Sequence, residues 1–171
     1  MAYVYVEGIA NYAKVFEISR DMGDRLPDDS DMKKKLQEID GQYVVDLVVT
    51  PEAKAKAIAD GIPDKGMIAQ RWKTDSEGNE YYKASRKHWN PNMVDRETGE
   101  RGVLQGPPKV LKEVDGELVE WSLEEDGYIG NGSKVVAKFN VWEGKIVDLL
   151  ALKVVEHVEF IPDGEESEQG F

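Results

Sequence analysis

The segment IVDLLALKVVEHVEF, residues 146–160, decides the fold class of this chain. Val147, Leu150, Ala151, Val154, Val155 and Val158 recur at helical spacing. The repeated valines, with Leu149 and Leu152 apolar between them, equally describe a strand buried on both faces. Periodicity alone leaves both readings open. The segment is also broken by Asp148, Lys153 and Glu156, too polar and too short to cross a bilayer.

Immediately before it, YIGNGSKVVAKFNVW (residues 128–142) reads as a glycine bend leading into a strand, and EGK turns the chain back. Gly130 and Gly132 are expected to serve the bend through positive backbone φ. The stretch lacks the Gly-Lys-Ser/Thr order and the following helix of a phosphate-binding loop. Further out, QYVVDLVV reads as a strand and TPEAKAKAIADG as a helix, with Thr50 to cap it, Pro51 in its first turn and Gly61 to stop it. YVYVEGIANYAKVFEI, near the start, reads as one or two strands bent near Gly8. MKKKLQEI is a short helix closed by Gly41, within an otherwise loop-like charged stretch. MIAQRWK and EYYKASRKHW flank TDSEGN as a hairpin. NPNMVDRETGERGVLQGPP is expected to be an irregular loop, and KVLKEV and LVEWSL short strands about the turn DGE. Many short strands with one or two helices describe a small barrel or sandwich.

The chain has 171 residues, 40% of them hydrophobic, enough for one core, so one domain or one domain with a tail is expected. It has no cysteine, which removes disulfides and thiolate metal sites and fits a reducing cytosol. Its two histidines, His88 and His157, lie far apart, and no metal or cofactor site is expected. The N-terminal stretch lacks the basic flank and unbroken apolar run of a signal peptide. There is no HExxH motif, nucleophile elbow or Cys-His pair, so no catalytic residues are assigned.

The net charge of −12 argues at first against a polyanionic partner. Its distribution argues otherwise. Residues 65–112 carry ten Lys/Arg against six Asp/Glu, about +4, and the rest of the chain about −16. A nucleic-acid groove needs a basic stripe, which a chain average does not exclude.

Two strands concentrate that stripe with aromatic rings. If residues 133–142 form a strand, Val135, Ala137, Phe139 and Val141 share one side, and Lys134, Val136, Lys138, Asn140 and Trp142 the other. The second side repeats every two residues, roughly 6–7 Å, a spacing resembling that of an extended nucleic-acid backbone. In EYYKASRKHW one set is Tyr81, Lys83, Ser85, Lys87 and Trp89, the other Tyr82, Ala84, Arg86 and His88. The first is favoured as exposed, because Ala84 and Tyr82 bury more readily than two lysines. Arg71, Trp72 and Lys73 lie on the expected hairpin partner, and Tyr12, Lys14 and Phe16 repeat the mixture near the start. Lysines neutralise phosphates while aromatic faces stack bases without regard to their identity.

These residues carry a resemblance. GQYVVDLVVTPEAKAKA, NEYYKASRKHW, and GYIGNGSKVVAKFNVW running into KIVDLLALKVVEHVEF resemble, in order, the single-stranded DNA-binding proteins of short-tailed, podovirus-type bacteriophages. The similarity covers roughly residues 40–160, the first strand more weakly, and the tail. It implies a mainly β fold: an OB-fold barrel at 1–161 with one or two helices, then a flexible, disordered acidic tail at 162–171. It implies sequence-independent single-stranded DNA binding and protection in phage DNA replication and recombination, in the cytoplasm of the infected host, without catalysis. The last apolar segment becomes a strand. The implied DNA contacts are Lys134, Lys138 and Trp142, the run Tyr81, Lys83, Arg86, Lys87 and Trp89, and, beside them, Arg71, Trp72, Tyr12 and Lys14. The tail ends EESEQGF. Glu165, Glu166 and Glu168 would keep it soluble, while Phe171 docks on the phage DNA polymerase and helicase-primase. A homodimer is among the expected assemblies, and a membrane is not among the partners.

Two other readings compete. An acidic protein-interaction module, or an inhibitor mimicking DNA, explains the net charge better but not the paired basic aromatic strands. A two-metal nuclease could draw on Asp115, Glu117, Glu124, Glu125 and Asp126, although solvated loop charge is the commoner origin of such a cluster.

Overall fold

The computed structural model describes residues 2–66 and 71–160. The expected tail, with Glu165, Glu166, Glu168 and Phe171, lies outside the described residues. Among the described residues ten strands and three α-helices follow in order: β1 (Ala2–Lys14), α1 (Asp31–Glu38), β2 (Gln42–Val48), α2 (Pro51–Asp60), β3 (Trp72–Thr74), β4 (Glu80–Lys87), β5 (Trp89–Val94), β6 (Arg101–Leu104), β7 (Lys109–Val114), β8 (Glu117–Glu120), α3 (Leu123–Asp126), β9 (Ser133–Trp142) and β10 (Ile146–Glu156). Among the described residues no helix is long and apolar enough to cross a membrane.

Eight strands form one sheet in the order β3-β4-β2-β1-β9-β10-β7-β8. Within it β4-β2-β1-β9-β10 is antiparallel throughout. The sheet rolls up so that β10 packs beside β4, and an ion pair between Arg86 of β4 and Asp148 of β10 ties the two strands. This is the five-stranded Greek-key barrel of the OB fold. β1 serves both halves. Residues 2–10 pair with β9, while Ile9 to Lys14 pair with β2. At the crossover, a Cβ on Gly8 would lie 2.6 Å from the Val48 carbonyl oxygen, so only glycine admits β2 this close. Rather than breaking at Gly8, β1 runs through it and bulges between Asn11 and Lys14.

The core is the inward set of each strand: Val4, Val6 and Ala10; Tyr43, Val45 and Leu47; Tyr82 and Ala84; Val135, Ala137, Phe139 and Val141; Val147, Leu149, Leu152 and Val154. The last set explains the ambiguous periodicity. A register irregularity between Leu149 and Ala151 inserts a step of three into an alternation of two, which mimics helical spacing. Helix α2 packs against β1, with Thr50 Oγ accepting the Ala53 N–H at 3.1 Å and Gly61 closing the helix at φ +130°. Ser30 caps α1 in the same way. Each such cap stabilises its helix by about 1 kcal/mol.

Three expectations change. Residues 89–104 form a β-hairpin, β5–β6, where a loop was expected. Asp95 builds its turn by accepting the Glu97 N–H at 2.8 Å, and Gly99 adopts φ +74°. A third helix, the four-residue α3, is capped by Ser122 in the acidic stretch. Of the two bend glycines, only Gly132 has positive φ, +94°. Gly130 instead admits a crossing chain, since its Cβ would lie 2.6 Å from the Val158 carbonyl oxygen.

Candidate nucleic-acid interface

The alternation that buries one side of each strand aligns the other side into cross-strand rows. One row runs Glu156, Lys134, Ile9, Val48, Tyr81 and Lys73 across β10, β9, β1, β2, β4 and β3. The next row toward the loop of β1 and β2 pairs Asn11 with Asp46 and Asp46 with Lys83. Beyond it Val44 lies opposite Ser85, and Gln42 opposite Lys87. Lys83, Lys87 and Lys134 are exposed, Tyr81 half-buried. At about 4.8 Å per strand, Lys134 and Tyr81 are about 14 Å apart along the row.

Arg71 joins this face from before β3, its guanidinium donating to the Lys83 carbonyl oxygen at 3.1 Å and to Ser85 Oγ at 2.7 Å. Tyr12 joins it from the β1 bulge, with a left-handed backbone (φ +52°) and a side chain 68% exposed. A tyrosine in that region stores about 1–3 kcal/mol of strain. Two bonds from the glycine bend hold it there: the Tyr12 N–H donates to Asn131 Oδ1 at 2.7 Å, and the Gly132 N–H donates to Asn11 Oδ1 at 3.1 Å. The bend before β9 thus positions Tyr12, with exposed Lys14 two residues on. Tyr12 and Tyr81 line an open groove of ≈ 250 Å³ with Asn11, Asp46, Val48 and the β3–β4 turn, Asp75 to Glu77. Asp75 is engaged in that turn, accepting the Glu77 and Asn79 N–H groups at 2.9 Å each. Burial raises the Asp46 carboxyl above its ordinary value, and Lys83 and Lys73 offset only part of that rise.

Along β9 the outward set continues with Lys138 and Trp142, the latter 47% exposed. Lys138 Nζ lies 4.5 Å from the ring centroid of Tyr3 and 5.8 Å from that of Tyr5. Neither tyrosine is among the residues singled out from sequence. The signal was the alternation YVYV, in which buried Val4 and Val6 leave Tyr3 and Tyr5 outward.

Three of the candidate residues are engaged in the fold itself. Trp72 faces the core, its ring edge-on to Tyr82 with centroids 4.8 Å apart and its indole N–H donating to the Pro63 carbonyl oxygen. Arg86 donates to Asp148 and to the carbonyl oxygens of Gly106 and Gln105. Burial nevertheless outweighs Arg86 in raising the Asp148 carboxyl above its ordinary value. Trp89 opens β5 and lies against Gly102, where a Cβ would meet its ring at 2.2 Å. His88, just past the end of β4, is buried against the Tyr43 hydroxyl, 2.6 Å from Nδ1.

The acidic stretch from Glu113 to Asp126 occupies β7, β8 and α3. β8 is one edge of the main sheet and β3, beside the basic strand β4, the other. Two of the carboxylates suggested for a nuclease have other surroundings: Asp126 pairs with Lys112 at 2.7 Å and accepts the Ser122 N–H, and Glu125 lies in the capped turn of α3. Among the described residues no group of three or more His, Asp or Glu side chains could hold a metal ion.

No protein-family model and no curated protein matches the sequence. Solved structures do match. The single-stranded DNA-binding protein from bacteriophage Enc34, in complex with ssDNA, is similar at TM-score 0.49 and 15% identity, over 95% of this chain and 90% of that one. The chain is similar to gp2.5, a single-stranded DNA-binding protein encoded by bacteriophage T7, at TM-score 0.55 and 16% identity, over 99% of this chain and 94% of that one. Rows, barrel order and superposition together give this chain the fold of T7 gp2.5.

Proposed function

We propose that this chain is a phage single-stranded DNA-binding protein, a non-catalytic protein that coats DNA strands during replication and recombination without regard to sequence. The observation that carries the reading is the shared outer face of β3, β4, β2, β1 and β9. There Tyr81 and Tyr12 stand among Lys73, Lys83, Lys87 and Lys134, while the acidic hairpin β7–β8 lies at the opposite edge of the sheet. The strands and loops of an OB barrel that meet oligonucleotides include the face of its second and third strands, here β2 and β4. Lysines on such a face replace counterions on phosphates, and tyrosines offer stacking that every base accepts. Lys14, Lys138 and Trp142 extend the same surface. Trp72 and Arg86 support it, by packing the core and by closing the barrel.

The test is the salt dependence of oligo-dT binding. Replacing Lys83, Lys87, Lys134 or Lys138 singly with Ala should weaken binding to all sequences alike and reduce the slope of log K against log salt by about 0.7 per lysine. Unchanged affinity and slope in all four would refute the site.

The tail reading belongs with this function. On this reading Glu165, Glu166 and Glu168, with Phe171 as the anchor, recruit the phage DNA polymerase and helicase-primase. A variant ending at residue 162 should keep its DNA affinity at moderate salt and lose capture of both enzymes. Capture undiminished by the truncation would sink that assignment.

A further inference from the structure

Tyr3 and Tyr5 occupy an unusual position for exposed aromatic rings. They lie in the first half of β1, paired throughout with β9, yet they are 53% and 55% exposed. A tyrosine within a sheet normally lays its ring on its cross-strand neighbours. Here those neighbours are Asn140 and Lys138, and the Lys138 ammonium approaches both rings.

We propose that Tyr3 and Tyr5 are base-stacking residues, which with Lys138 carry single-stranded DNA off the groove between Tyr12 and Tyr81 and along β1 and β9 toward Trp142. The inference rests on the DNA-binding reading and deepens it, because it sets the path and length of the bound strand.

Three features favour this occupant. The two tyrosines repeat at two residues along a strand, about 6.8 Å, close to the step of an extended nucleotide backbone. The cation between them is placed to hold a phosphate while the rings take the flanking bases, and its approach to both aromatic faces restrains its long side chain before DNA arrives. The path is also continuous with the groove: Lys134, four residues before Lys138 on β9, shares the cross-strand row of Tyr81. Nearby, the Asp148 carboxylate is paired with Arg86, and Lys153 lies across Val136 from Glu7. Base faces are available in a single strand and hidden in a duplex, so the surface selects single strands.

The groove holds a short oligonucleotide and the β1–β9 extension only a longer one. Binding of oligo-dT of about five and about twelve nucleotides therefore separates them, within the range of OB-fold site sizes. The double variant Tyr3→Leu/Tyr5→Leu should bind the short oligomer as the wild type does and lose most of the gain on lengthening, a deficit of roughly 30-fold or more on the longer one. Tyr3→Phe/Tyr5→Phe keeps the stacking faces and should keep the gain. If the leucine variant gains as much affinity with length as the wild type, the inference is overturned while the DNA-binding reading stands. If wild-type protein binds neither oligomer, the DNA-binding reading fails and the inference fails with it.

Discussion

Lys138 Nζ lies 4.5 Å from the ring centroid of Tyr3, on the same outward side of β9 as Trp142. The cation and the indole should fail differently when removed. Trp142→Ala should weaken oligo-dT binding by about 1–3 kcal/mol and leave the salt slope near the wild-type value, since stacking releases no counterions. Lys138→Ala should reduce both affinity and slope. A Trp142→Ala protein with a changed slope, or with no loss of affinity, would remove the indole from the interface.

Arg86 and Asp148 should behave as a buried pair that closes the barrel. Their side chains are 13% and 18% exposed, and each alone would be a charge with little water to solvate it. Arg86→Leu or Asp148→Leu singly should destabilise the protein by about 3–5 kcal/mol in urea denaturation. The double replacement should be much less damaging than the sum, because no charge is stranded. Additive losses would mean that the pair is not coupled.

Tyr12 separates backbone strain from binding. Tyr12→Gly relieves the left-handed backbone that Tyr12→Ala retains, so the glycine variant should be more stable than the alanine variant by up to about 1 kcal/mol. Both lack the ring and should lose similar affinity for single-stranded DNA. An alanine variant that binds as tightly as wild type would show that the strain at residue 12 serves no DNA contact.

Asp46 should give the interface a pH dependence whose sign follows from its burial. Its carboxyl lies above the ordinary value of 3.8 because it is buried. The folded chain therefore holds this proton more tightly than the unfolded chain. That contribution to stability is complete below the unfolded value and is lost as pH rises through the folded one. A phosphate laid beside Asp46 disfavours the carboxylate further, so binding takes up a proton there and tightens as pH falls toward the acid range. Asp46→Asn should bind several-fold more tightly at neutral pH and show a shallower pH dependence than the wild type. Superimposable profiles would place Asp46 away from the bound phosphates.

Much of this surface was legible in the sequence, and the exceptions have physical causes. The alternation in KVVAKFNVW separated core valines from outward lysines, because a strand with one buried side must alternate. The same logic oriented EYYKASRKHW through small Ala84. What alternation cannot show is whether an outward side chain is free. Arg86 and Trp72 have the composition of DNA contacts, yet the first is drawn to Asp148, 62 residues on, and the second to Tyr82. Residues 146–160 resisted assignment because the irregularity near Leu150 breaks the period of two. The β5–β6 hairpin was hidden by Pro91 and its asparagines, which weaken the strand signal where the Asp95 turn is strong. Tyr3 and Tyr5 carry no such signal, because a strand of alternating tyrosine and valine reads first as core.

The most direct test of the central claim is titration of the protein with oligo-dT, following tryptophan fluorescence at low and moderate salt, with duplex DNA of matched length as control. The outward indole of Trp142 and the groove lysines predict quenching by the single strand alone, weakening steeply as salt rises. No quenching and no binding by either DNA would contradict the account, and would turn attention to the chain's acidic surfaces as a site for a protein partner.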